Sequence, residues 1–189
     1  MATILFIFVL LGESFLAGIL ILSLTTPHGR VWPPSQRLGW QQYLALALNH
    51  VTKICTFFLG IFDWDSFVLN HWLKFVLGGI LVVSGLLFAL WGTWSLGINM
   101  SVGSGGRLVK TGAYRYSRNP QYVGWCTLFV GYALICNSSL TIIATAIGAS
   151  LYCAASFAEE AWLKERYGSQ YEEYRLQVPR YIGLLRRKT

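Results

Sequence analysis

Long apolar runs with almost no charge constrain this chain more than any other feature. They can be drawn over residues 3–24, 42–62, 74–94, 121–136 and 140–158. All but the fourth approach the ~20 apolar residues that cross a ~30 Å hydrocarbon core as a helix. In hydrocarbon every backbone polar group must be satisfied internally, so such runs become helices. The expected fold class is therefore all-α: a polytopic transmembrane bundle of about five spans with a C-terminal cytoplasmic helical tail. Composition agrees. Only 12% of the chain is Asp, Glu, Lys or Arg and mean hydropathy is +0.50, against about 25% charged in soluble domains. The first run lacks a basic leader and is long for a signal peptide, so it reads as a retained span.

The 189 residues suit one integral membrane domain, 1–189. Residues 1–94 form three N-terminal spans, and residues 95–189 a loop, a helical hairpin and the tail. Only Asn137, Ser138 and Ser139 separate the fourth and fifth runs, so these pair as a tight hairpin. The tail, 159–178, reads as a helix continuing the fifth run, interrupted near Gly168.

Orientation follows from Lys and Arg in the short loops. Arg30 and Arg37, then Arg107, Lys110, Arg115 and Arg118, then the bases of the tail alternate with a connection carrying Asp63 and Asp65. All three basic stretches are cytoplasmic if the N-terminus is outside and the C-terminus inside. The net charge of +7 is thus a topology and lipid-anchoring signal, and no nucleic-acid partner is expected. Cys55, Cys126, Cys136 and Cys153 form no CxxC pair, and no metal site is expected.

Three ionisable residues fall inside spans: Glu13, His50 and Lys53. Intramembrane charges usually face the bundle interior and pair. Glu13 and Lys53 lie at depths matching within ~2 Å at 1.5 Å per residue, and His50 and Lys53 share a helix face. An ion pair fixing helix packing, or a polar pocket for a substrate head group, both fit.

The chemistry-bearing stretch is 103–124, GSGGRLVKTGAYRYSRNPQYVG. Gly103, Gly105 and Gly106 permit close backbone approach to a ligand. Pro120 suits the first turn of the fourth helix. That helix start offers free N–H groups and a positive dipole end, and Arg118 adds a bidentate fork for a carboxylate. Tyr122 lies one turn inside. Glu159 and Glu160 end the fifth run, and the hairpin returns them to the side of Arg118. Acids facing an Arg and a helix N-terminus form a receptor for a zwitterion: the acids for an ammonium, the Arg for a carboxylate.

These segments resemble the C-terminal signature of isoprenylcysteine carboxyl methyltransferases and phospholipid methyltransferases. Leu108, Val109, Gly112 and Tyr114 match its LVxxGxY element. Arg118, Pro120, Tyr122 and Gly124 match R[HN]PxYxG. Glu159, Glu160 and Leu163 match EExxL, and Tyr167, Gly168, Tyr171 and Tyr174 the closing aromatic stretch. The resemblance covers about half the chain. It implies a cytoplasm-facing, non-Rossmann site for S-adenosyl-L-methionine. Glu159 or Glu160 would hold the methionine ammonium, and Arg118, Asn119 and Tyr122 would surround the methionine part. The backbone from Leu108 to Tyr114 would contact the adenosine. The acceptor would be a lipophilic or lipid substrate, an isoprenylcysteine carboxylate or a phospholipid head group, reached from the bilayer. Asn119 stands where isoprenylcysteine enzymes typically carry His, which removes one candidate base. Of the residues named, Arg118, Asn119, Glu159 and Glu160 are the catalytic candidates and Glu13, His50 and Lys53 the candidates for acceptor binding. An NADPH-dependent sterol-type reductase and a non-enzymatic membrane transporter or scaffold are the alternatives. Oligomeric state is not legible.

Overall fold

The computed structural model describes residues 1–26, 30–33, 39–69, 71–97 and 106–183. Arg37, Gly103, Gly105 and the last basic residues, Arg186, Arg187 and Lys188, lie outside them. Six α-helices form: α1 (Ala2–Thr25), α2 (Trp40–Phe62), α3 (Leu73–Leu96), α4 (Pro120–Cys136), α5 (Ser139–Tyr167) and α6 (Ser169–Gln177). A 3₁₀ turn, Gly112–Arg115, precedes α4. No strand occurs among the described residues.

Four helices, α1, α2, α3 and α5, are long and apolar enough to cross a membrane. The expected fourth span, α4, has 17 residues, or ~25 Å at 1.5 Å per residue, short of a ~30 Å core. Large apolar side chains cover the outer faces, Phe8, Leu87 and Trp94 among them. Outward-facing apolar cover with Thr52, Thr56, Thr141 and Thr145 buried within is the arrangement of a membrane protein.

The tightest pairing is α3 against α4, and glycines make it possible. A Cβ on Gly85 would stand 2.7 Å from the Gly124 carbonyl oxygen, and one on Gly131 would stand 2.6 Å from that of Gly78. The two backbones therefore touch, as small residues allow in membrane helix pairs. α1 packs on α2 and α5, and α5 on α4.

The α4–α5 turn is tied to the α2–α3 connection. Asn137 takes a left-handed conformation, φ 48°, and its Nδ2 donates to Asp65 Oδ1 at 2.7 Å. Ser138 accepts from the Thr141 amide at 3.0 Å, capping α5, and donates to Asp63 at 2.6 Å. Lys74 pairs with Asp65 at 2.7 Å. At the opposite end Arg30 meets Glu165 at 3.3 Å. The described cationic loops gather there, where α2 and α4 begin and α5 passes into the tail. That tail is one continuous helix through Tyr167, broken at Gly168 with φ 50°.

Candidate functional site

The start of α4 is held by chain that returns from beyond α6. The Arg118 amide donates to the Pro179 carbonyl at 3.0 Å, and Asn119 Nδ2 and Ser117 Oγ donate to the Arg180 carbonyl at 3.0 and 3.3 Å. The Asn119 side chain is thus engaged by backbone. The end of α5, helix α6 and the residue after it clamp the preceding loop. Tyr174 donates to the Tyr114 carbonyl at 2.7 Å, Tyr167 donates to the Gly106 carbonyl, and Leu108 packs on Tyr171, Tyr174 and Val178. Burial, with Glu160 nearby, pushes the Tyr171 hydroxyl up to about 12.

Glu159 and Glu160 point to different partners, as adjacent residues about 100° apart on a helix must. Glu160 is buried in an ion cluster: Arg118 at 2.9 Å, and a bidentate fork from Arg180 at 2.7 and 2.8 Å. Glu159 instead accepts from Trp32 Nε1 at 2.8 Å and from the Tyr122 hydroxyl. Both bonds land on Oε1, and Oε2 accepts no hydrogen bond among the described residues.

A cavity of about 510 Å³ runs between this mouth and the spans, within the range of ligand sites, ~300–1,000 Å³. It brings together Leu108, Val109, Tyr114, Arg118, Asn119, Tyr122 and Glu159 with His50 and Lys53. Apolar side chains from α1, α2 and α3, such as Leu16, Leu46 and Leu90, form much of its wall. Arg118 Nε is buried in the wall without a hydrogen-bond partner, an orphan that costs free energy unless a ligand completes it.

Three expectations need correction. Glu160 does not line the cavity, because Arg118 and Arg180 claim it. Gly112 does not line it either. It turns at φ +61° against α3, where a Cβ would strike the Ser95 side chain, so packing explains this glycine. Glu13 forms no ion pair with Lys53. It lines a separate cavity of about 60 Å³ that Lys53 and Asn49 also border, and its Oε2 has no partner. Lys53 instead sits 4.4 Å over Trp125 and 5.5 Å over Tyr152. The sequence reading missed Trp32, Trp125, Tyr152 and Arg180. Arg180 was visible only as one more tail cation.

The phospholipid methyltransferase family profile matches residues 73–170, just over half of the chain. Similar proteins include the protein-S-isoprenylcysteine O-methyltransferase of Xenopus laevis, 26% identical over 89% of this chain and 69% of the relative. The Schizosaccharomyces pombe protein of that name is 34% identical over 41% of this chain and 34% of its own length. The Homo sapiens protein is 26% identical over 74% and 59%. The chain thus spans between a third and about two thirds of these relatives. No solved structure matches it significantly. The matched profile begins at α3 and runs through the loop, α4 and α5, the elements that carry Arg118 and Glu159, and the chain belongs to the phospholipid methyltransferase family and is, by that membership, a methyltransferase.

Proposed function

We propose that this protein is an S-adenosylmethionine-dependent methyltransferase of the membrane. Its acceptor is lipophilic, an isoprenylcysteine-type carboxylate or a phospholipid head group, and reaches the cavity from the bilayer. The observation that carries the reading is Glu159 and Arg118 in the wall of one cavity, with neither Glu159 Oε2 nor Arg118 Nε hydrogen-bonded among the described residues. An acid beside a guanidinium with an unused donor fits the ammonium and carboxylate of a methionine moiety. Leu108, Val109 and Tyr114 supply apolar and aromatic wall suited to an adenosine.

S-Adenosylmethionine, when bound, supplies an electrophilic methyl group on a sulfonium. The protein's share is positioning and water exclusion. Glu159 holds the ammonium through Oε2, its carboxylate aimed by Trp32 and Tyr122. Arg118 orients the carboxylate while Glu160, braced by Arg180, holds the guanidinium still. The leucines of α1–α3 exclude water. We place the mouth in the cytoplasm and the N-terminus outside, with α4 completing five crossings, because the basic loops gather at the mouth.

Transfer of label from methyl-tritiated S-adenosylmethionine into the organic-soluble fraction, by protein in lipid nanodiscs, tests the reading. Label in the lipid phase with the wild type, and less by about tenfold or more with Glu159→Gln at subsaturating donor, is expected. No label with any isoprenyl thioether or aminophospholipid offered contradicts it.

A further inference from the structure

The cavity has a second charged pole. Lys53 lies in the middle of α2 and lines both cavities, yet it makes no salt bridge and no hydrogen bond to any described residue. Its ammonium, with three N–H donors, lies over the rings of Trp125 and Tyr152. An aromatic face attracts the charge but takes the place of no hydrogen-bond acceptor. An unpaired ammonium at such depth is costly unless something brings a counter-charge. Glu13, the acid at that depth, does not bring it. Cys126 also borders the smaller cavity but is no ion-pair partner, and His50, one turn away, can only be neutral or cationic and so is no counter-charge.

The position of Lys53 relates it to the mouth. Tyr152 stacks on Tyr122 with ring centroids 4.9 Å apart, and Tyr122 donates to Glu159. One pair of stacked rings therefore separates an acidic pole from a basic pole within a single cavity. The same rings decide which head group is refused. Trp125 and Tyr152 present the faces that would cage a quaternary ammonium, and the lysine's own ammonium already occupies them.

We propose that Lys53 is an anion anchor for the acceptor: it binds an acidic head group, carboxylate or phosphate, at the inner end of the cavity and disfavours cationic or neutral heads. This rests on the reading of the cavity as the acceptor's binding place. Asn49, whose Oδ1 accepts from the Tyr152 hydroxyl at 3.3 Å, keeps its amide N–H groups for the same anion. A neutral ester of the same chain cannot make the Lys53 contact.

Four amphiphiles with one tail test this: laurate, lauryl phosphate, methyl laurate and dodecyltrimethylammonium. Each competes for labelled laurate on nanodisc-held protein, with empty nanodiscs subtracted for partition. In the unmodified protein the acid should bind about tenfold tighter than its ester, the scale of one charge-assisted hydrogen bond, and the ammonium weakest. Laurate ahead of lauryl phosphate assigns the anion to a free carboxylate, and the reverse to a phosphate head. Lys53→Met should abolish the preference and Lys53→Arg keep it, both checked for folding by circular dichroism. Equal binding of acid and ester, or tightest binding of the ammonium, overturns the proposal without recourse to any variant. Unmodified protein that shows the anion preference but binds no S-adenosylhomocysteine leaves the anchor standing and sinks the methyltransferase site instead.

Discussion

Glu159 and Glu160 are adjacent and chemically identical, yet the structure gives them opposite roles, so Glu159→Gln and Glu160→Gln should fail in different ways. In Glu159→Gln the amide oxygen can keep the hydrogen bonds from Trp32 and Tyr122, and its NH₂ then replaces Oε2. The fold keeps its contacts, and the loss is one charge-assisted hydrogen bond to an ammonium, ~1.5–3 kcal/mol or about 10- to 150-fold in affinity. Glu160→Gln removes the shared counter-charge of Arg118 and Arg180. Breaking a buried ion pair from one side costs ~3–5 kcal/mol, because the remaining charges stay buried. Thermal melting and titration with S-adenosylhomocysteine on the same detergent preparations separate the two. Glu159→Gln should melt within ~0.5 kcal/mol of wild type and bind at least tenfold more weakly. Glu160→Gln should melt far below it. A silent Glu159→Gln, with a Glu160→Gln that loses affinity but not stability, would refute the assignment of the two carboxylates.

Other expectations follow from the scaffold. A Cβ on Gly124 would come 2.7 Å from Ala89 Cα, so Gly124→Ala should cost ~1–3 kcal/mol as overpacking; unchanged melting would show that α3 and α4 do not touch there. Burial raises Asp63, but hydrogen bonds from Ser138, Ser66 and the Leu140 amide outweigh it and hold the carboxyl below the ordinary range. That stability is present above the unfolded value, ~3.9, and is lost as pH falls through the lower folded one. Asp63→Asn should therefore destabilise at pH 7, by a margin that shrinks below about pH 4; a constant margin would contradict this. With the four native cysteines replaced, Val68→Cys should label from outside and Lys110→Cys from the cytoplasm; labelling of both from one side would defeat the proposed topology.

How much of this was legible in the sequence depends on the range of the interactions. Helix ends set by local chemistry were readable: Pro120 at the first turn of α4 and Gly168 breaking the tail; the Ser138 cap of α5 emerged only in the structure. The joining of Arg118 and Glu159 at one mouth followed from the short hairpin alone. Which of two adjacent glutamates faces the cavity was not readable. It depends on Arg180, twenty positions further on, folding back to take Glu160. Of the two expectations for Glu13 and Lys53, the ion pair does not form, because the faces of Trp125 and Tyr152 come from other helices and take the ammonium, whereas the two do border one small cavity. Gly112 matched a motif, but its left-handed φ of +61° and the approach of Ser95 are what require a glycine there.

The proposed function stands or falls on whether the cavity mouth holds a methionine zwitterion. Calorimetric titration of the unmodified protein in nanodiscs with S-adenosylhomocysteine, and separately with NADPH, tests it most directly. Saturable one-to-one binding of S-adenosylhomocysteine, weakened at least tenfold by Arg118→Met through loss of a charge-assisted contact, is expected, with no heat from NADPH. Saturable binding of NADPH with none of S-adenosylhomocysteine would contradict it.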